Sequence, residues 1–333
     1  MALHIQRREF IALLGSSVFA GPIVASAQQA ERVRRIGLLM AFAESDQEGQ
    51  SWVAALREEL RKLGWTEGRN IEIDTRWAAE VESMKRFAKE LTALQPDLIV
   101  TSSTPGTAAV LEQTRSIPLI FVSVADPIGS GFVASLAHPG GNVTGFTPIV
   151  GSLGGKWVEL LKEIAPRVAR FTLLFNPSTA TFVEGYLNPF KAAAASGGAE
   201  AIIAPVHDMP EVESLVTTQA SETNSGLVVI PDAFTVGHRT EITALAARYR
   251  VPAIYSSRSF AELGGLISYG PDLVDEYRRA ASYADRILKG TKPSELPVQA
   301  PVKFELVINR KTATLLGLNI PTSLLVSADE IIK

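Results

Sequence analysis

The chain has 333 residues, of which 46% are hydrophobic and 20% are charged, so it can bury a sizeable core and wholesale disorder is excluded. Its 32 basic residues are balanced by 35 acidic ones, whereas a nucleic-acid-binding protein normally carries a strong basic excess. The sequence has no cysteine, which excludes disulfides, zinc–thiolate sites and iron–sulfur clusters, and its 4 histidines are not at metal-ligand spacing. We therefore expect no cofactor, no metal site and no nucleic-acid partner.

Residues 1–27 have the features of an export signal. Arg7 and Arg8 precede an apolar stretch that carries no charge and ends in the small-residue cleavage pattern A-x-A at 25–27. A pair of arginines before Phe-Ile is typical of a twin-arginine signal, although Gln6 stands where a serine is usual, and an ordinary secretory signal is the alternative. Either signal predicts a mature protein in the periplasm.

The first half of the remaining chain alternates between two hydrophobic patterns. Short apolar or alternating runs predict strands, and apolar residues at helical spacing predict helices. The predicted elements, in chain order, are strand 36–40, helix 50–63, strand 70–77, helix 82–94, strand 97–101, helix 105–113, strand 117–124 and strand 142–146. This alternation indicates a parallel sheet with helices on both faces.

The second half repeats that order after Gly145. The predicted elements are helix 156–164, strand 171–175, helix 186–195, strand 200–204, helix 210–220, strand 226–230, helix 237–249, strand 252–255 and strand 266–270. Two α/β halves of similar order predict two Rossmann-like lobes with parallel sheets, joined by crossovers near 146–151 and near 270. A single large doubly wound domain is the alternative.

The predicted lobes use the chain discontinuously. The first lobe is expected to comprise residues 28–148 and 271–300, since we expect the predicted helix 271–288 to pack against the first lobe. The second lobe is expected to comprise residues 149–270. The pattern predicts a strand and a helix within residues 301–333 but does not assign that segment to either lobe.

Signatures of catalysis and cofactor binding are incomplete in this sequence. Residues 129–134 fit the dinucleotide pattern G-x-G-x-x-A, but Asp126-Pro127 separates them from the preceding strand and no acidic residue follows about 20 positions later. Residues 154–157 lack the first glycine and the Ser/Thr of a phosphate-binding loop. Neither G-x-S-x-G nor H-E-x-x-H occurs, so we do not expect an enzyme.

Polar residues follow the predicted strands, at the edge where open α/β sheets bind ligands. Ser102, Ser103 and Thr104 precede a helix, where hydroxyls and free N–H groups bind an anion such as a carboxylate or simply cap the helix. Asp126 is either a turn residue or a ligand contact, and Asp232 is a candidate acceptor for an ammonium group. The other candidate ligand-binding residues are polar at equivalent strand ends or aromatic, and they are Phe42, Asn176, Ser178, Thr179, Phe234, Tyr255, Ser257 and Tyr269.

Four stretches of the chain resemble a known family. They are LREELRKLGWTEGRNIEIDTRWA (56–78), the run 96–146, LLFNPS (173–178) and the run 269–318, and the most specific part is DPIGSGFVASLAHPGGNVTGF (126–146). Together they cover nearly the whole mature chain, which resembles ABC-transporter substrate-binding proteins of the tryptophan/tyrosine-type group, with the type I periplasmic binding fold. In that family the loops at the strand ends line the cleft.

The resemblance implies a two-lobed, hinged receptor that closes on a small molecule and delivers it to a membrane permease with its ATPase. The expected ligand carries a carboxylate and is an aromatic compound or an amino acid, and the expected receptor is a monomer. A periplasmic ligand-sensing module for a membrane signalling partner needs the same closing cleft and is the alternative.

Overall fold

The computed structural model of the protein describes residues 32–222 and 224–333, and the predicted export signal lies outside these residues. Within them the chain forms two separate sheets, each covered by helices on both faces. Every helix in this part of the chain is too short or too polar to serve as a membrane span.

The first sheet has five parallel strands. These are β1 (Arg34–Met40), β2 (Ile71–Trp77), β3 (Leu98–Ser102), β4 (Leu119–Val122) and β5 (Val143–Phe146), and their order across the sheet is β2-β1-β3-β4-β5. The helices of this lobe are α1 (Gln47–Lys62), α2 (Val81–Ala93), α3 (Thr104–Gln113) and, much later in the chain, α10 (Leu273–Leu288). One face of the sheet packs on α1 and α10, and the other packs on α2 and α3.

The second sheet has seven strands. They are β6 (Arg170–Phe175), β7 (Glu200–Pro205), β8 (Ser225–Val229), β9 (Ala253–Tyr255), β10 (Ile267–Pro271), β11 (Phe304–Asn309) and β12 (Glu330–Ile332), in the order β12-β11-β10-β9-β8-β6-β7. Its helices are α4 (Leu153–Ile164), α5 (Glu184–Ser196), α6 (Met209–Ser221), α7 (Ala233–Gly237), α8 (Arg239–Arg248), α9 (Arg258–Glu262), α11 (Arg310–Leu315) and α12 (Thr322–Ser327). A short 3-10 helix, Pro293–Glu295, precedes β11.

The two sheets repeat one topology. The order β7-β6-β8-β9-β10 in the second sheet matches β2-β1-β3-β4-β5 in the first, so the predicted pair of parallel α/β lobes is confirmed. The second sheet is then extended by β11, which is antiparallel to β10, and by β12, which is parallel to β11. The segment that the sequence pattern did not assign therefore adds its two strands to the second sheet.

The chain passes between the lobes three times, and the three crossings are bonded to one another. The first crossing follows β5, the second connects β10 to α10, and the third leads into β11. The Thr147 N–H donates to the Gln299 carbonyl at 3.0 Å, which joins the first crossing to the third. The Asp272 N–H donates to the Lys303 carbonyl at 3.0 Å, and the two side chains form an ion pair at 2.7 Å, which joins the second crossing to the third. Hydrogen bonds and an ion pair therefore hold the three crossings together as one narrow connection between the lobes.

Candidate ligand-binding site

The lobes meet at the carboxyl ends of their strands, where two side-chain contacts cross between them. The Arg239 guanidinium, at the start of α8, lies 2.6 Å from the Asp46 carboxylate, which also accepts a hydrogen bond from the Gly49 N–H at 2.8 Å and so caps α1. Beside this ion pair, Glu48 of α1 lies next to Ser259 of α9. The loop after β1 and the first turn of α1 thus contact two helices of the second lobe.

Burial at this contact raises the pKa of Glu48 to about 7. The nearby Ser259 hydroxyl and the charge of Arg239 lower the pKa of Glu48, while the carboxylates of Asp46 and Glu262 raise it. Because desolvation is the largest of these effects, Glu48 changes its charge near neutral pH at a surface where the two lobes touch.

The three predicted hydroxyl residues after β3 lie at the edge of the first lobe that faces the second, and they have different contacts. Ser102 is buried, and its Oγ accepts a hydrogen bond from the Ala41 N–H at 2.6 Å, which ties the end of β3 to the loop after β1. The Oγ of Ser103 accepts a longer hydrogen bond from the Gly106 N–H, at 3.4 Å, and Thr104 begins α3. Ser102 therefore has a structural partner, whereas Ser103 and the first turn of α3 have the weaker internal bonds.

Ser103 and Ser123 share an unusual backbone feature, a positive φ angle. Their φ angles are +66° and +60°, in the left-handed region that residues other than glycine rarely occupy. Ser103 follows β3 and Ser123 follows the neighbouring β4, so the two strained residues lie side by side at the carboxyl-end edge of the sheet. Strained backbone of this kind occurs preferentially at functional sites. Ser123 was not among the predicted site residues, although its position after β4 matches that of Ser103 after β3.

In the second lobe, four predicted site residues form one hydrogen-bonded group around Asp232. The Asp232 carboxylate accepts hydrogen bonds from the Asn176 N–H at 3.0 Å, the Thr179 hydroxyl at 2.9 Å and the Thr235 N–H at 2.9 Å. The Asn176 side chain in turn accepts from the Ser178 N–H at 2.9 Å. Burial raises the pKa of Asp232, and these hydrogen bonds lower it. The group orders the loop after β6 against the start of α7, because both carboxylate oxygens of Asp232 have partners within the protein.

Three further candidates lie at strand ends near the contact between the lobes. Phe42 packs edge-to-face on Trp52, with ring centroids 5.1 Å apart, in the loop after β1. Phe234 of α7 lies 4.8 Å from the ring of His238, next to the arginine of the ion pair. The Ser257 Oγ is 2.8 Å from the Ser259 Oγ, and Ser259 contacts Glu48.

The remaining three candidates lie elsewhere. Tyr255 is only 1% exposed and stacks on Phe260 within the core of the second lobe. Tyr269 stacks on Phe304, in a separate groove of about 450 Å³ between α4, β11 and α12. Asp126 is exposed and accepts a hydrogen bond from the Gly129 N–H at 2.8 Å, as a turn residue does.

The described residues show no arrangement of three or more His, Asp or Glu side chains that could hold a metal ion. The polar groups that the fold brings together are instead hydroxyls, carboxylates and N–H groups of two facing lobes. Such a set of groups is suited to holding a polar small molecule by hydrogen bonds.

Comparison with known proteins places this geometry in a family. The family model described as "ABC transporter substrate binding protein" matches residues 41–332. A "Tyrosine-binding protein" of Clostridioides difficile is 25% identical over 285 residues, which are 85% of this chain and 80% of that protein.

Solved structures agree with that assignment. An ABC domain from Streptococcus pneumoniae in complex with L-Trp is 28% identical, with a TM-score of 0.79 over 90% of this chain and 99% of that one. A conserved domain protein from Vibrio cholerae is 27% identical, also with a TM-score of 0.79, over 90% of this chain and 100% of that one. The chain has two lobes and three crossings, and the family model matches almost all of its described residues. The chain therefore belongs to the ABC transporter substrate-binding protein family.

Proposed function

We propose that the protein is the periplasmic receptor of an ABC uptake transporter and captures a small, carboxylate-bearing molecule by closure of its lobes. The observation that carries the proposal is the pair of contacts across the cleft, Asp46 with Arg239 and Glu48 with Ser259. In this proposal the lobes turn about the crossings, so that a ligand enters when these contacts break and is enclosed when they form.

The first turn of α3 is the proposed position of the ligand carboxylate. N–H groups at a helix N-terminus attract an anion, by about 0.3–1 kcal/mol where the site is exposed. The 3.4 Å hydrogen bond between Ser103 and Gly106 is long enough to be exchanged for one to a ligand. The likeness to a structure that holds L-Trp and to a tyrosine-binding protein makes aromatic amino acids the first candidates.

The proposed partners are a membrane permease and its ATPase, which receive the ligand from the closed receptor. The relatives are proteins of ABC transporters, which favours uptake over ligand sensing. The export signal predicted in residues 1–27 supports a site of action in the periplasm.

A thermal-shift screen tests this function directly. The panel contains the common L-amino acids, aromatic acids and small carboxylates. A ligand at about 100 times its dissociation constant is expected to stabilise the fold by about 2.7 kcal/mol, a clear rise in melting temperature. Small-angle scattering then compares the radius of gyration with and without the best ligand, and a decrease is expected. A panel without any stabilising compound contradicts the proposal, and binding without a change in dimensions contradicts closure.

Replacing Arg239 by Ala is expected to favour the open form, because it removes the cation that joins α8 to Asp46. A partly buried ion pair contributes roughly 1 kcal/mol, so ligand affinity should fall about fivefold and the radius of gyration of the unliganded protein should increase. The matched control is Arg248→Ala, since Arg248 is exposed in the same helix and lies 3.9 Å from Glu213 of the same lobe. Equal behaviour of the two variants would show that the ion pair has no part in closure.

A further inference from the structure

Arg279, on the second turn of α10, uses its hydrogen-bond donors in an unexpected direction. The acidic Glu276 lies three residues earlier on the same helix, a spacing at which opposite charges normally pair. Neither Glu276 carboxylate oxygen, however, accepts a hydrogen bond from any group in the described part of the chain. The Arg279 guanidinium donates instead to the Gln299 side chain and, at 3.1 Å, to the Ala300 carbonyl. Both acceptors belong to the third crossing, so Arg279 is directed at the connection between the lobes.

Arg279 also contacts the start of the first crossing. Its guanidinium lies over the ring of Phe146, the last residue of β5, at 5.1 Å from the ring centroid. Beside this contact the first and third crossings are bonded to each other. The Gln299 N–H donates to the Gly145 carbonyl at 2.9 Å, and the Thr147 N–H donates to the Gln299 carbonyl at 3.0 Å. One side chain of the first lobe thus contacts two of the three crossings where they leave that lobe.

The second crossing is shorter than the other two. β10 ends at Pro271, and the next residue, Asp272, already caps α10, because its carboxylate accepts a hydrogen bond from the Asp275 N–H at 3.1 Å. Asp272 is also joined to Lys303 of the third crossing by the backbone hydrogen bond and the ion pair described above. A strand of one lobe therefore leads directly into a helix of the other, with little chain between them that could change direction.

The first and third crossings contain longer segments. In the third crossing, Pro301 and Val302 lie between Ala300, which accepts a hydrogen bond from α10, and Lys303, which pairs with the second crossing. The side chain of Val302 is 72% exposed, so a rotation of the backbone at this residue meets little packing. In the first crossing, residues 148–152 precede α4. A few such residues between fixed points are what a hinge requires.

We propose that Arg279 is a positioning residue for lobe closure, which fixes the first and third crossings to the first lobe so that the lobes turn about the second crossing. The change in backbone angles then occurs at residues 148–152 and at Pro301 and Val302. This inference rests on the proposed function, since it specifies how the receptor closes. Arg279 acts only through the crossings and needs no contact with the ligand.

Double electron–electron resonance between spin labels on the two lobes tests this role. Because the chain has no cysteine, Lys89→Cys on α2 and Ser214→Cys on α6 place one label on each lobe, at exposed residues. In this labelled, unliganded protein, Arg279→Gln should raise the fraction of molecules outside the main distance peak about tenfold, the effect of losing one hydrogen bond from a charged donor. Arg286→Gln is the matched control, since Arg286 is exposed on the same helix and lies over the ring of Tyr283, within α10 itself.

Melting temperatures of the same variants separate positioning from stability. Arg279→Lys keeps the charge but loses the planar fork that serves two acceptors, so the fraction outside the main peak should rise less than in Arg279→Gln. A distance distribution of Arg279→Gln that equals that of the wild type would overturn the proposal, whether or not the melting temperature falls, because Arg279 would then contribute to stability alone.

A second variant tests the hinge without changing Arg279. Val302→Gly adds backbone freedom to the third crossing and should widen the distance distribution, whereas Val33→Gly, at an exposed residue before β1, should leave it unchanged. A distribution of Val302→Gly as narrow as that of the wild type would place the rotation elsewhere and would overturn the proposal. These measurements use no ligand, so their outcome is separate from the thermal-shift screen, which decides the receptor function.

Discussion

Glu276→Gln is expected to abolish most of a stability loss that the wild-type protein shows as the pH rises from 5 to 9. Burial raises the pKa of Glu276 from its ordinary value of 4.5 to about 8, with Asp272 and Asp275 adding to the rise and Arg279 opposing it. Between pH 4.5 and about pH 8, Glu276 retains its proton in the folded protein but has released it in the unfolded chain. Stability is therefore complete below about pH 4.5 and falls progressively as the pH rises to about 8.

The expected size of that loss is on the order of 4 kcal/mol, because each pKa unit corresponds to about 1.4 kcal/mol. Urea unfolding at a series of pH values measures this loss. The slope of the free energy of unfolding against pH is compared between wild type and variant, and the difference separates the contribution of Glu276 from that of other titrating groups such as Glu48. Glu112→Gln is the control, since Glu112 lies exposed on α3. A variant whose stability depends on pH as steeply as that of the wild type would contradict the assignment of Glu276 as a buried acid.

Gly270→Ala is expected to reduce the free energy of unfolding by about 3 kcal/mol or more, the upper part of the range for added volume in a packed site. Gly270 lies in β10 immediately before the second crossing, and a Cβ at this residue would overlap the Ser256 carbonyl oxygen. The backbone has little freedom to move away, because β10 pairs with β9 on one side and with β11 on the other.

The matched control for this change is Gly237→Ala. Gly237 ends α7, and a Cβ there would have no heavy atom within 4 Å, so its replacement should be neutral or slightly stabilising. Denaturant unfolding of the two variants measures the difference. Similar free energies of unfolding for both variants would contradict this prediction and show that the backbone of β9 and β10 can move apart near the crossing.

The repeated architecture could be predicted because its strands are buried on both faces. Runs such as 98–100 are apolar throughout, and turn residues separate them from helical patterns of ordinary length. The predicted helix 237–249 corresponds to α8, and the pattern did not predict the short helix α7 before it, which begins at a capping box formed by Asp232 and Thr235 and is separated from α8 by a turn at His238. The antiparallel pairing of β11 with β10 depends on contacts between distant segments, which hydrophobic periodicity does not encode.

The candidate site was predictable only where local sequence determines position. Ser103 was identified because a strand and a helix flank it, and the structure places it at the cleft edge. The contact between Asp46 and Arg239 joins residues 193 positions apart, and nothing in either local sequence marks it. The burial of Glu276 likewise depends on where α10 returns in space, since an acidic residue in the first turn of a helix is otherwise typical of an exposed position.

The late return of α10 to the first lobe has a consequence for how the protein is made. The apolar face of α10, including Tyr277 and Ala281, packs into the same core as Trp52 and Leu56 of α1. A ribosome delivers all five strands of the first sheet long before it delivers that helix. While the second lobe is being synthesised, the nascent first lobe presents an uncovered apolar surface to its surroundings. The first lobe is thus begun first but completed only after the five parallel strands of the second lobe have been made.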